Sequence, residues 1–426
     1  MDINDKGEIG EKFVNDVASN SFLKYWCYPS PKDELGDRKE ISDLLILFND
    51  IVIIISVKNY EFKGQYERYF RNTTDKALSQ LYGAERKLFR AESISIKHPD
   101  RQIELFQRER YKRVYRIIVN LGLGLKFYNP SHYTKNGKHV TIMEKDSWQG
   151  ILQEMDTIID FTNYLDAREA LFKSRPVLML PGEEHDFDQS TSLQFIEYAM
   201  KSTDLEKGQV IISGKENDLL AEYILNHNSY PDDIKKEDYQ GLMLQLDGKW
   251  DRFIQRPEVK DKKNKDKQSY FIDELVKREV LNSLQGEIIA LKLMTLSRME
   301  RRMISGQFFN FLKKYEERGG KLLFARGYNE IEDKAFVFFY HSKDMPQEMV
   351  NDLCNLAMDS FAVYTRYKVK EYILIGGTNG LGYLKCGYAN YERPFSSDEE
   401  NDIMSNAKLL GWFKQLDIGK FTDYEY

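Results

Sequence analysis

Apolar residues gather near the N-terminus in two short runs, 41-ISDLLILF-48 and 51-IVIIISV-57, separated by Asn49-Asp50. Runs of this length, rich in β-branched residues and split by a turn-forming pair, predict the two strands of a hairpin. Neither run alternates cleanly with polar residues, so both faces of the hairpin are expected to be covered, as in a layered α/β core. Helical spacing brackets the pair. Ile9, Phe13, Val14 and Val17 predict a helix over about Gly7–Ser19, and Ala77, Leu81, Ala84 and Leu88 predict another over about Thr74–Arg90. With a further strand at Tyr115–Leu121 the order is α-β-β-α-β.

From Ser147 to about Phe253 the pattern is mainly helical, with TIIDFTNYLDAREALF and NDLLAEYILN as amphipathic segments and PVLMLPG as a strand-like interruption. The polar, lysine-rich stretch 256-RPEVKDKKNKDKQS-269 reads as an exposed loop or linker. A long helix is predicted from Asp273 through Arg302, and another over Gln307–Glu317. After Gly319-Gly320 the period shortens to that of strands in KLLFARGY, KAFVFFYHS, VKEYILIGG and LGYLKCGYANY, with one helix, about Gln347–Tyr364, among them. The expected fold class is therefore α/β in three regions. These are a core over 1–145, a mainly helical middle region and linker over 146–269, and an α+β domain over 270–426.

Composition adds little to this, and charge adds more. Hydrophobic residues make up 42% and charged residues 31% of the 426 positions, as in a soluble globular chain. No apolar run approaches the ~20 residues of a membrane span. The opening MDINDKGEIGEKF has no apolar signal core, and Cys27, Cys354 and Cys386 are too scattered for a disulfide framework or a zinc site. A cytoplasmic protein is expected. The formal charge of −6 is unevenly spread: Glu61 to Lys145 carries 18 Lys/Arg against 9 Asp/Glu, so the rest of the chain sums to −15. Such segregation is what a phosphate-binding face needs, and it is also what a solvated charged face looks like.

Metal-dependent cleavage of a phosphodiester needs acidic oxygens to hold the ion and a cation for the charge that develops on phosphate. The hairpin carries both kinds of group. Ser56 and Lys58 are two apart on one strand and share a face. The turn brings Asp43 of the partner strand beside them, and Glu11 of the first helix is placed to add a carboxylate above the strand ends.

These residues resemble the PD-(D/E)XK nuclease superfamily, especially its nuclease-related-domain and resolvase-like branches. GEIGEKF (7–13) resembles the leading helix motif, ISDLLIL (41–47) the aspartate strand, SVKN (56–59) the lysine strand, and QLYGAERKL (80–88) the glutamine-bearing helix that follows. The resemblance covers about the first 125–145 residues. A looser similarity, to uncharacterised bacterial proteins with a KEISD-type strand and a QxxGAER helix, extends to GKENDLLAEYIL (214–225) and LKLMTLSRMERR (291–302). What the resemblance implies is a restriction-endonuclease-like core that cuts DNA, with defence against foreign DNA as a role. It implies Asp43, Lys58, Glu11 and Gln80 as catalytic residues, and Mg²⁺ or Mn²⁺ held by Asp43 and Glu11.

One position departs from that pattern. Where these nucleases place Glu or Asp two residues before the lysine, this chain has Ser56, which brings no charge and is a poor Mg²⁺ ligand. Either Glu11, Glu8 or Glu40 reaches the ion from another element, or Asp43 and phosphate oxygens hold it. Failing both, the alternative is a nuclease fold without cleavage that binds nucleic acid or scaffolds a partner. Asp43 and Lys58 can equally form an ion pair at strand ends, and Gln80 can simply pack.

In RERYKRVYR (108–116) aromatic and cationic residues interleave, so Arg108, Arg110, Lys112 and Arg113 are the expected nucleic-acid contacts. The same stretch also fits packed tyrosines with solvated arginines. The middle and C-terminal regions are expected to recognise a partner, regulate or dimerise. GEEHDFDQ (182–189) reads as a polar loop, IGGTNGLGY (375–383) as a hairpin turn at Asn379-Gly380, and Arg298, Arg301 and Arg302 as a solvated helix face.

Overall fold

The structure is a computed structural model that describes residues 3–122, 128–172, 177–180, 197, 209–232, 241–283, 286–316, 324–331, 333–378 and 384–414. The GEEHDFDQ stretch and the turn at Asn379-Gly380 lie outside them. The chain is mixed α/β with several sheets and divides into two compact units, Met1–Lys260 and Asp261–Glu425.

The first unit begins with α1 (Ile3–Phe22), whose buried stripe is Gly10, Val14, Ala18 and Phe22, one residue per turn. Ile9, expected on that stripe, is half exposed. After the short β1 (Cys27–Pro29) come β2 (Leu44–Phe48) and β3 (Ile51–Lys58), in which every residue is buried, as their unbroken apolar runs require. Phe48 pairs with Ile51 across a two-residue turn, and Asn49 takes the positive φ of 49° that its short polar side chain tolerates. A helical turn (Tyr66–Phe70) and a π-turn (Arg71–Asp75) lead into α2 (Lys76–Arg90), which buries Ala77, Leu81, Ala84 and Leu88 as the spacing predicts. The chain returns as β4 (Arg113–Asn120), parallel to β3 from Ile51↔Arg113 to Lys58↔Asn120. Two more strands, β5 (Ser131–Tyr133) and β6 (His139–Glu144), complete a sheet of order β1-β2-β3-β4-β6-β5.

The middle region is less helical than its sequence pattern. Between α3 (Lys145–Glu154), α4 (Ile158–Phe172), α5 (Glu216–Leu225) and α6 (Lys249–Gln255) stands a parallel sheet of β7 (Val177–Leu180), β8 (Gln209–Ser213) and β9 (Gly241–Gln245), in the order β9-β8-β7. The strand-like PVLMLPG contains β7, whereas β8 and β9, at five residues each, are too short to display a period and read equally well as helix. Helices α4 and α5 are tied by a fully buried ion pair. Arg168 donates to Glu216 through Nε (2.5 Å) and Nη2 (3.1 Å), and Tyr164 donates to the same carboxylate at 2.8 Å.

Residues 256–269, read as a linker, contain the helix Pro257–Asp266. Proline is harmless in a first turn, and the Lys262–Asp266 and Lys265–Asp261 pairs, at 2.8 and 2.9 Å, support a helix with little apolar surface.

In the second unit the single helix expected over Asp273–Arg302 is broken. It comprises α7 (Tyr270–Leu275), a π-turn (Val276–Val280), α8 (Gly286–Met294) and the start of α9 (Arg298–Glu316). A reciprocal cap starts α9: Ser297 bonds Glu300 through N–H and hydroxyl, each at 2.7 Å, while the Glu300 N–H returns to Ser297 Oγ. Arg298, Arg301 and Arg302 are buried, contrary to the solvated face expected of them. Asp273 accepts from Arg298 (2.7 Å) and Arg301 (2.8 Å), and Asp266 from Arg302 (2.9 Å).

The unit's sheet is β10 (Phe324–Ile331), β11 (Lys334–His341), β12 (Glu371–Gly377) and β13 (Leu384–Asn390), in that order. Its central pair is parallel, joined through α10 (Gln347–Tyr364), and α11 (Ser397–Leu409) follows. Val337, Phe339 and Leu374 face Ala357 and Phe361 of α10, whereas Phe338 and Tyr340 meet Phe308 and Tyr315 of α9. Apolar residues on both faces explain the unbroken runs. Among the described residues no helix is long and apolar enough to cross a membrane.

Candidate active site

Antiparallel pairing sets Leu44 opposite Ile55, which puts Asp43, one residue before β2, beside Ser56. Ser56 Oγ lies 3.2 Å from Asp43 Oδ2, and the Val57 N–H donates to the same oxygen. Lys58 points to the same side of β3. Its Nζ donates to Ser56 Oγ and to the Val57 carbonyl, each at 3.0 Å, and stands 3.9 Å from Asp43 Oδ2. From α2, Gln80 Oε1 comes within 3.2 Å of the Ser56 hydroxyl. A hydroxyl has one proton to give: when Ser56 donates to Asp43, it accepts from Lys58, and the Gln80 amide turns its NH₂ inward. Ser56 is 3% exposed and Lys58 7% exposed, so the serine is the buried junction of the cluster.

Helix α1 reaches this point because of Gly10. A Cβ there would meet Leu121 Cδ1 at 3.0 Å and Asn59 Cβ at 3.4 Å, so glycine permits the close approach that carries Glu11 over the strand ends. Burial raises the Glu11 carboxyl above its ordinary value, Asp43 pushes the same way, and Lys58 and a hydrogen bond from Ser30 oppose. Glu40 arrives from the segment before β2. The Lys32↔Glu40 bridge holds its backbone just before β2, and its carboxyl is hydrogen-bonded to that of Asp43. It too is raised, by burial first, then by Asp43 and Glu11. Lys58 is lowered by burial despite the pull of Asp43, and Lys76 adds to the lowering. The charges of three carboxylates thus act on one desolvated ammonium.

Glu11, Asp43, Ser56, Lys58 and Gln80, expected to meet, are brought together. Glu40 joins them, while Glu8 is exposed and acts on Glu11 only as a nearby charge. Lys76 was missed, although four residues before Gln80 it shares that helix face. Ser30 carries no signal in the sequence. The basic run is elsewhere. Arg113 pairs with Ile51, at the opposite end of β3 from Lys58, and seven residue steps along a strand span about 23 Å. There Arg113 donates to Asp166 (2.9 Å) and to Tyr115 (2.7 Å), Arg110 to the Asn49 carbonyl (2.8 Å), and Arg108 to Glu109 (2.9 Å) and the Ala91 carbonyl (3.1 Å). Lys112 is exposed.

The donors at the candidate site are hard carboxylate oxygens, the chemistry that Mg²⁺ and Mn²⁺ prefer. Among the described residues, however, no three His, Cys, Asp or Glu side chains stand close enough together to cage an ion. No protein-family model, curated protein or solved structure matches the chain.

Proposed function

We propose that the N-terminal core of this chain is a metal-dependent nuclease of the PD-(D/E)XK kind, hydrolysing phosphodiester bonds of DNA in the cytoplasm. The observation that carries the proposal is the placement of Asp43, Ser56 and Lys58 on one face of the hairpin, with Lys58 Nζ 3.9 Å from Asp43 Oδ2 and Gln80 on the Ser56 hydroxyl, where the charges of Glu11 and Glu40 also act on the ammonium. The helix–hairpin–helix–parallel strand order of α1, β2, β3, α2 and β4 supports it too.

Asp43 and Glu11 would hold Mg²⁺ or Mn²⁺, with Glu40 supplying the carboxylate that Ser56 lacks. When bound, such an ion polarises the phosphate and lowers the pKa of a water. Lys58 neutralises charge growing on a phosphate oxygen, and its low exposure strengthens that interaction. Ser56 fixes the direction of the ammonium, and Gln80, at the exposed rim, orients water or backbone. Arg108, Arg110, Lys112 and Arg113 would meet the same duplex at a distance, since about 23 Å of strand is the length of about seven base pairs.

A second reading, binding without cleavage, is favoured by the serine at position 56 and by the absence of an ion cage among the described residues. Supercoiled plasmid and linear DNA, each with Mg²⁺ or Mn²⁺, decide between the two. Cutting that EDTA stops, and that Asp43→Ala and Lys58→Ala abolish, is expected. Cutting that survives both substitutions sinks the site assignment, whereas salt-sensitive binding with no cutting in either metal selects the second reading.

A further inference from the structure

Among the described residues the sheet of the second unit has two edge strands, β10 and β13, and β13 has a single strand neighbour, β12. Every residue of β12 except Glu371 is buried, whereas all of β13 is half-buried or exposed. A strand paired on one side only presents alternate N–H and C=O groups outward. Along Leu384–Gly387 that edge borders a cavity of about 470 Å³, large enough for a drug-sized ligand or a short peptide. Asn351 and Met358 of α10 form one wall, and Glu279 and Ser283, in and after the π-turn, form the other.

The lining selects the class of occupant. Among the described residues it holds no aromatic ring to stack on a base and a single cation, Lys385, a lining that does not favour nucleotides or clustered phosphates. Its thiols are not reactive: burial pushes Cys354 and Cys386 up to about 12, so both stay protonated and serve as apolar surface. Gly387 leaves the wall toward α10 bare, because a Cβ there would already touch Met358 Cε at 3.4 Å.

We propose that this groove binds an extended peptide, which adds a strand to the free edge of β13 and seats an apolar side chain against Met358. Charge fixes the pattern of the peptide. Lys385 lies on the α10 side of the sheet, where Asn351 accepts a hydrogen bond from it, while Glu279 acts on Cys386, the next residue, whose side chain alternates to the other face. Side chains of a strand alternate between faces, so an acidic residue facing Lys385 and a basic residue facing Glu279 stand an odd number of positions apart. A second folded copy fits less well, because its own β13 edge is recessed between the same two walls.

The test uses the full-length protein and three fluorescein-labelled peptides. Two carry the charges three positions apart, Thr-Glu-Val-Leu-Lys-Thr and Thr-Lys-Val-Leu-Glu-Thr, to sample both strand directions. The third, Thr-Glu-Val-Lys-Leu-Thr, carries them two apart. At least one of the first two binds saturably, with a Kd on the order of 10–100 μM, and protects the amides of 384–387 from hydrogen exchange. The third binds about tenfold more weakly, and Lys385→Glu weakens the winning peptide about tenfold at unchanged Tm. The proposal is overturned if neither odd-spaced peptide binds below about 1 mM, if the even-spaced peptide binds equally well, or if Lys385→Glu has no effect. It is also overturned if the edge is instead closed by a concentration-dependent dimer that Lys385→Glu disrupts.

Discussion

Lys58→Met separates a lysine held for chemistry from one held for structure. Methionine keeps the reach of the side chain and removes its charge. At the 3.9 Å that separates Lys58 Nζ from Asp43 Oδ2, two unit charges at an effective dielectric constant of about 20 interact by about 4 kcal/mol. A phosphate oxygen brought equally close in the transition state draws the same energy, so losing the ammonium slows cleavage about 10²- to 10³-fold. The fold should not suffer in proportion. Asp43 keeps its bonds from Val57 and Ser56, and burial already depresses Lys58, so the charge is a net cost to the folded state. A group whose folded-state value lies below the unfolded one contributes stability above the unfolded value and loses it as pH falls through the folded one. The methionine variant should therefore show a flatter stability profile approaching pH 10.5, with little change in Tm at neutral pH. Single-turnover nicking of supercoiled plasmid at saturating enzyme reads the rate, and a thermal scan reads the fold. More than about a tenth of the rate retained at normal Tm refutes the catalytic role. A loss of about 3–5 kcal/mol of stability would mark Lys58–Asp43 as a structural pair.

Four further outcomes are expected. Glu40→Gln should weaken metal-dependent cutting about tenfold or more, measured by metal titration, while Glu8→Gln leaves it unchanged. Glu11 and Glu40 are raised, so the stability they contribute is complete below about pH 4.5 and is lost as pH rises through their folded values. Mg²⁺ or Mn²⁺ should offset that loss and raise Tm more at pH 8 than at pH 4, and an equal rise at both would remove these carboxylates from the metal site. Glu216→Ala should destabilise the first unit by about 3–5 kcal/mol in urea unfolding, because it strands the Arg168 guanidinium at 0% exposure, and Arg168→Met in that background should recover part of the loss. Reversing charge at Arg108 and Lys112 should lower DNA affinity and reduce the salt slope by about two, leaving the rate at saturation unchanged.

Patterns that repeat over many residues were legible in the sequence. The β2–β3 hairpin, the stripe of α2 and helix α10 all emerged with close to their observed limits, because each carries several buried turns or a full apolar strand. Short strands such as β5, β8 and β9 did not, having too few residues to show a period, whereas β7 showed as the strand-like PVLMLPG. The break before α9 was legible and passed over: Ser297 and Glu300 spell a capping box inside an apparently continuous helix. Burial of the arginine trio depends on Asp266 and Asp273, some 25–36 residues away, which no local pattern reveals. At the candidate site Asp43 and Lys58 followed from strand register alone. Whether Glu40 would join them depended on how the loop before β2 folds, and whether Glu8 would depended on which side of α1 faces the sheet. That the basic run stands at the far end of β3 from Lys58 follows from the parallel pairing of β4, which sets Arg113 opposite Ile51, a register that no local pattern reveals.

The π-turn at Arg71–Asp75 makes the length of this helix as consequential as its composition. A π-turn accommodates one residue more than α-helical winding, and one residue corresponds to a rotation of about 100° and a rise of about 1.5 Å. Removing a single residue there would let the segment rewind as α-helix. The turns before and after would then keep their stripes, but with different phase. Tyr66, Tyr69 and Phe70 could stay inside only if Lys76 and Gln80 swung away from Ser56, or the reverse. Substitutions along this segment are therefore tolerable in a way that deletions are not: the chain can change its letters there, but not its count.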